Sequence, residues 1–431
     1  MRRTVARIGV VAALALSMGV AAVNAPSARA EEPGLVSAAR ANNDEMNYAI
    51  NLAGTNPEDL QRALALVPGA GGAALASYPE IGTFFAQSAT PSFAPDLAAA
   101  LRAAGISIHS IGPTRVAPVL YYERVELPTD KKDEAPAPQS GGAGGLNSMR
   151  DETASAAPTE ANEEIFNWGA VAMHAREAEA VNVKRAPVTV AVVDSGVEDT
   201  HPDLEGRVDT SRSVKCSVNG VATQDFYGWR DEFYHGTHVA GIIAANHNDI
   251  GIDGIAPQAT IVAIQATNDN RLIYPEYVTC AFMWAASHGV DVVNNSYSMD
   301  PWVYWSPTDP EQAAGLEAAT RSIKYAQDKG LAVIAAAGNE GVDIDNPWID
   351  NGSPTDVPTP TKNRAVEGSI RVPSMLDGVA QVSAVGQAYN VKPGLSLGRA
   401  EFSNYGHTID FAAPGDQIYS TATTLFYRSG Y

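Results

Sequence analysis

The run Val188-Thr189-Val190-Ala191-Val192-Val193 constrains this chain more than any other feature. A nearly continuous apolar stretch of strand length needs cover on both faces, which a parallel sheet flanked by helices provides. The run ends in Asp194-Ser195-Gly196, so a carboxylate stands where the strand stops. Further on, His235-Gly236-Thr237-His238-Val239-Ala240-Gly241 places a histidine at the head of a helix of small residues. In open sheets of this kind, ligands bind beyond the carboxyl ends of the strands. Asp194 and His235 are the first candidates for chemistry.

The alternation of strand and helix continues downstream. Ala259 to Ile264 reads as a strand, Tyr274 to His288 as a helix, and Asp291 to Asn294 as the start of another strand. Pro310 opens a helix behind Thr308 and Asp309, Gly330 closes it, and Leu331 to Ala337 is again a strand. The pattern predicts an α/β fold, a mostly parallel sheet with helices on both faces. Residues 46–115 follow a different order. A strand over Asn47–Leu52, a helix from Pro57 to near Gly69, strands Ala73–Ile81 and Thr83–Ala86, a helix Pro95–Ala104 and a strand Ile106–Ile111 give β-α-β-β-α-β. That is the split βαβ of a small α+β, ferredoxin-like domain.

Between the two, Lys131 to Pro138 and Gly141 to Gly145 carry no apolar period and read as a flexible linker. At the start, Arg2 and Arg3, an apolar stretch from Ile8 to Val23 and Ala28-Arg29-Ala30 have the form of a secretory signal. The expected division is therefore 1–30 signal, 31–123 small domain, 124–160 linker and 161–431 catalytic domain. A net charge of −20 argues against nucleic acid as a partner, since phosphate binding needs clustered Lys and Arg. No segment has the length and continuity of a comfortable spanning helix, so no membrane anchor is expected. Cys216 and Cys280 are the only cysteines, and either a bridge or two separate buried thiols fits the sequence.

Gly338-Asn339-Glu340-Gly341 follows Ala335-Ala336-Ala337 and brings a side-chain amide to a third strand end. Acyl transfer needs such a donor where negative charge develops on the substrate oxygen. His235 and His238 are also spaced as a metal pair, but no acidic or Cys ligand accompanies them, and the acid, base and amide set is the better reading.

On these motifs the chain resembles the subtilisin-type serine proteases (subtilases). Val-Val-Asp-Ser-Gly-Val, His-Gly-Thr-His-Val-Ala-Gly and Ala-Ala-Gly-Asn-Glu-Gly match in turn, as do Gly254-Ile255-Ala256-Pro257 and Phe411-Ala412-Ala413-Pro414-Gly415. The resemblance implies a secreted endopeptidase acting on protein or peptide substrates, with Asp194 orienting the base His235 and Asn339 donating to the oxyanion. It implies that Ser296, Tyr297 and Ser298 form an edge strand for substrate, with Ser298 where the family usually has Gly. Ala336, Ala337 and Gly338 would line the first specificity pocket, with room for a large side chain. The unit at 31–123 would be an inhibitory propeptide acting within its own chain, released between Leu120 and Glu163. No cofactor is required. Calcium is possible at the loop 246–252, with Asp203 and Asn248 as side-chain ligands.

The family carries its nucleophile in Gly-Thr-Ser-Met-Ala shortly after the Ala-Ala-Pro-Gly landmark. Here neither Ser420 nor Ser429 stands in that motif. The expectation is a sequence truncated before the catalytic serine, inactive as written and short of a buried helix. The alternatives are a non-catalytic pseudoprotease that binds peptides, or a chain in which only the 46–115 unit acts, as an inhibitor or folding helper.

Overall fold

A computed structural model describes residues 45–119, 167–181, 186–346, 348–387 and 397–424. The expected signal, the linker, the release region and Ser429 lie outside the described residues. The first elements are β1 (Met46–Leu52), α1 (Pro57–Leu66), β2 (Ala73–Tyr78), β3 (Thr83–Ser88), α2 (Phe93–Ala103) and β4 (Ile108–Pro113). Asn56 caps α1 by accepting from the Glu58 N–H at 3.0 Å, with Pro57 at the first helical position. The strands order β2-β3-β1-β4, every neighbour antiparallel, as the split βαβ reading requires. Several boundaries move: the third strand runs on to Ser88, and the fourth lies over Ile108–Pro113 rather than Ile106–Ile111. The strand expected to reach Ile81 stops at Tyr78 because Pro79 opens a 3-10 turn. The second helix starts at Phe93, with Pro95 tolerated inside its first turn, where no intrahelical partner is lost.

Downstream come α3 (Trp168–Ala172), α4 (Ala175–Ala180), β5 (Thr189–Asp194), β6 (Val214–Lys215), α5 (His235–Ala244), β7 (Thr260–Gln265), α6 (Pro275–Ser287), β8 (Val292–Asn295), α7 (Pro310–Asp328), β9 (Ala332–Ala336), β10 (Ile349–Asp350), β11 (Arg364–Ala365), β12 (Val379–Gln387), β13 (Leu397–Arg399) and β14 (Phe411–Pro414). The main sheet runs β13-β12-β9-β8-β5-β7-β6, with β14 also on β12. Only the β12–β13 pair is antiparallel. Alternate residues of β5 explain its apolar run. Ala191 and Val193 pack into the cluster that holds Phe282 and Ala319 of α6 and α7, while Val190 and Val192 face Ala240 and Ala244 of α5. Cys216 and Cys280 form a disulfide, their Cα atoms 5.7 Å apart, joining the end of β6 to α6.

Both sheets belong to one compact unit over 42–431. The four-stranded sheet lies on α6 and α7. Ala49 and Phe85 pack against Ala314 and Ala318, and Arg321 Nη1 donates to the carbonyls of Leu52 and Ile81 at 2.8 and 3.0 Å. At the centre Glu276, fully buried, accepts from Asn47 Nδ2 at 2.8 Å and from the guanidinium of Arg115. That guanidinium also stands 4.0 Å from the centre of the Tyr274 ring. Beyond it the Asp356 carboxylate accepts the Val116 and Ala117 backbone N–H groups at 2.8 and 3.0 Å.

Candidate active site

Asp194 closes β5, and α5 is brought against it by glycine. A Cβ on Gly236 would lie 2.0 Å from the Gly196 carbonyl oxygen, so no larger residue permits this approach. The Gly236 N–H donates to Ser195 Oγ at 2.9 Å. Asp231 caps the helix: its carboxylate accepts from the Thr237 N–H at 2.9 Å, the Thr237 hydroxyl at 2.6 Å and the Phe233 N–H at 2.8 Å.

Held this way, His235 Nδ1 lies 2.8 and 2.9 Å from the two oxygens of Asp194, and both residues are buried. Asp194 Oδ1 also accepts the Ser195 N–H at 2.7 Å. Burial disfavours the imidazolium, but the Asp194 charge, its hydrogen bond and the Asp231 charge outweigh that and raise the His235 pKa. His238, three residues on, behaves oppositely. Burial and then the neighbouring His235 push it down to about 4, and its Nε2 meets the Ile418 carbonyl at 3.2 Å. The two rings therefore have separate partners. Ser420 is buried and its hydroxyl donates to the His238 carbonyl at 2.6 Å.

β5, β8 and β9 are adjacent and parallel. Their carboxyl ends carry Asp194, then Ser296-Tyr297-Ser298, then Ala337-Gly338-Asn339. Residues 296–298 leave β8 as irregular backbone, not as the regular strand expected, because the ladder with β9 ends at Asn295. The loop after β9 is clamped from behind. Asn404 Oδ1 accepts the N–H groups of Glu340 and Val342, both at 3.1 Å. Asn404 Nδ2 donates to the Ala337 carbonyl at 3.0 Å and to Glu340 Oε2 at 2.5 Å. Arg371 Nη1 completes the cluster on Glu340 Oε1 at 2.9 Å. Gly338 has φ +114°, and a Cβ there would lie within 2.7 Å of all three side chains. Asn339 itself is exposed. The room expected beside Gly338 is thus shared with the Arg371 guanidinium, which no sequence motif announces.

The loop 246–252 folds over Asp203. The Asn246 N–H donates to the Asp203 carbonyl at 2.8 Å, and Asp203 Oδ2 accepts the Ile252 N–H at 2.9 Å. Asn248 Oδ1 accepts the Ile250 N–H at 3.2 Å. Oxygen donors of this kind suit calcium. Among the described residues, no group of three or more His, Cys, Asp or Glu side chains is placed to hold a metal. Among them, too, no helix is long and apolar enough to cross a membrane.

Comparison with known proteins agrees with this geometry. The thermophilic serine proteinase of Bacillus sp. (strain AK1) is 34% identical over 245 residues, covering 56% of this chain and 47% of that protein. Subtilisin Savinase of Lederbergia lenta is 32% identical over 263 residues, covering 61% and 76%. The minor extracellular protease Epr of Bacillus subtilis (strain 168) is 26% identical over 272 residues, covering 63% and 34%. The chain thus spans from a third to about half the length of several relatives. In fold it resembles the crystal structure of the epidermin leader peptide processing serine protease of Staphylococcus aureus, with TM-score 0.59 and 22% identity over 86% of this chain and 75% of that one. Residues 185–431 match the subtilase family, and the chain belongs to that family.

Proposed function

We propose that this chain is the precursor of a secreted serine endopeptidase that hydrolyses peptide bonds in protein or peptide substrates. The observation that carries the reading is the buried Asp194–His235 couple at a strand's carboxyl end. With Nδ1 engaged by Asp194, the imidazole is held in the tautomer whose Nε2 can take a proton from a serine hydroxyl and return it to the leaving amine. Asp194 stabilises the imidazolium without taking the proton. Asn339 would donate to the oxygen on which charge develops. Ser296, Tyr297 and Ser298 would lie along the substrate, and Ala336, Ala337 and Gly338 would wall the pocket for the residue before the scissile bond.

The unit over 46–119 would be a propeptide inhibiting its own chain, a reading supported by its buried contacts with α6 and α7. No cofactor enters the chemistry. A calcium ion would be taken by Asp203, Asn248 and backbone carbonyls of the loop 246–252, where it would stabilise the fold.

The serine itself has no assigned position within 1–431, so the 431-residue chain alone is expected to be inactive. Reading the gene past codon 431 for Gly-Thr-Ser-Met-Ala, then labelling the secreted protein with a serine-directed fluorophosphonate, tests the reading. A genuine stop codon at 432 with no labelling would favour a peptide-binding pseudoprotease, and hydrolysis of a peptide ester by purified 1–431 would overturn the expected inactivity.

A further inference from the structure

The pocket walled by 296–298 and 336–338 has a charged residue at its junction. The Met299 N–H donates to the Val372 carbonyl at 3.0 Å, which ties Arg371 and Val372 to the first wall. The Arg371 guanidinium carbon would lie 2.7 Å from a Cβ on Gly338, which places it against the second. Arg371 is 5% exposed. The guanidinium lies against the second wall, 5.8 Å from the centre of the Tyr304 ring, and an aliphatic side chain covering it would exclude water from a charge without replacing the lost hydrogen bonds.

The hydrogen-bonding inventory decides which group fits. Glu340 faces Arg371, and both its oxygens are already used, Oε1 by Arg371 and Oε2 by Asn404. Each oxygen thus already takes one hydrogen bond from within the protein. The donors are in surplus. Arg371 Nε and Ser298 Oγ are both buried, and neither has a hydrogen-bond partner among the described residues. A guanidinium offers five N–H donors in a planar fork and no acceptor. An incoming side chain that satisfies this site must therefore accept hydrogen bonds, and a carboxylate does so with charge assistance. A lysine would set a second cation beside the Arg371 guanidinium.

We propose that Arg371 is the specificity-determining residue of this site and that the pocket receives an acidic side chain, aspartate or glutamate, before the scissile bond. The proposal rests on the endopeptidase reading for the position of the pocket. Ser298 assists it with its hydroxyl, in the place where the family usually has no side chain. Glu340 holds the guanidinium in position and competes mildly with the substrate carboxylate for it.

The test uses the full-length protein and quenched peptides that differ only in the residue before the cleaved bond: Glu, Gln, Ala, Phe or Lys. Shorter peptides ending at that residue are titrated against the same protein by calorimetry. The expected result is at least a tenfold preference for Glu over Phe in kcat/KM and in affinity, with Gln between. Arg371→Ala abolishes the preference, Arg371→Lys keeps part of it, and Glu340→Gln widens it severalfold. The two conservative variants decide the matter if Arg371→Ala fails to fold. A wild-type preference for Phe or Lys, or an unchanged preference in the Arg371 variants, overturns the assignment. Preferential binding of Glu peptides with no hydrolysis would sink the endopeptidase reading and leave Arg371 in its role. Hydrolysis with an aromatic preference would do the reverse.

Discussion

Both carboxylate oxygens of Asp194 lie within 2.9 Å of His235 Nδ1, so ring and carboxylate are held together before any substrate arrives. The raised His235 pKa is a direct consequence. NMR titration of the ring is expected to show a midpoint above 6.5, the ordinary value for histidine. Asp194→Asn should lower it. Because the folded pKa is raised, the couple's contribution to stability is fully present below about 6.5 and lost as pH rises through the folded value. Hydrolysis, which needs the neutral base, should rise over that same interval. A midpoint unchanged by Asp194→Asn would break the link.

His238 should act in the opposite sense. Its folded pKa of about 4 means that the unfolded chain takes up a proton the native ring refuses. Stability should fall as pH drops from about 6.5 towards 4, by up to ~3 kcal/mol at roughly 1.4 kcal/mol per pKa unit. Urea midpoints measured across this window, with His238→Gln as the control, check the direction. A flat profile in both proteins would refute it.

Asn404 should matter to rate more than to substrate affinity. It bridges the Ala337 carbonyl, the Glu340 and Val342 N–H groups and the Glu340 carboxylate, so Asn404→Ala releases the loop that carries Asn339. Loss of the oxyanion donor itself costs about 10²–10³ in kcat, a figure taken from a subtilisin. We expect Asn404→Ala to lose about tenfold in kcat with KM little changed. Equal changes in both parameters would indicate a collapsed pocket instead.

Arg115→Ala should loosen the four-stranded unit. Removing one partner of a buried pair leaves a carboxylate uncompensated, at a cost of about 3–5 kcal/mol. Glu276 is 0% exposed, so it has no water to turn to. Limited proteolysis should release the 46–119 region far sooner in the variant. The double change Arg115→Met with Glu276→Leu should restore much of the protection, since neither charge of the buried pair then remains.

The Cys216–Cys280 bridge closes a loop with sequence separation 64. In the chain-entropy picture this stabilises by about 4 kcal/mol. Reduction, or Cys280→Ala, should lower the denaturation midpoint accordingly, and an unchanged midpoint would show that the loop gains nothing from closure.

Much of this architecture is readable from local chemistry. The apolar run of β5, the Asp309–Pro310 start of α7 and its Gly330 stop, and the β-α-β-β-α-β order each depend on neighbours in sequence. Asp194 and His235 were legible because a strand end and a helix start fix where each side chain sits. The Asn404–Glu340–Arg371 cluster was not, because its members come from three segments and only Glu340 lies in a motif. Asp231 was missed for a milder reason: a cap two residues ahead of an aromatic pair looks like any acidic turn. The cysteine pairing stayed open because only the folded chain sets their separation. Asn47, Arg115 and Glu276 meet only when the two sheets share one unit, so nothing in their surroundings marks them as partners.

Glu276 also bears on the proposed propeptide reading. Were the N-terminal sheet released as that reading requires, this carboxylate and the flank of α7 around Ala314 and Ala318 would lose the partners that cover them. A chain freed in that way would carry a ready-made berth for the 46–119 unit, and an excess of that fragment added in trans should find it again.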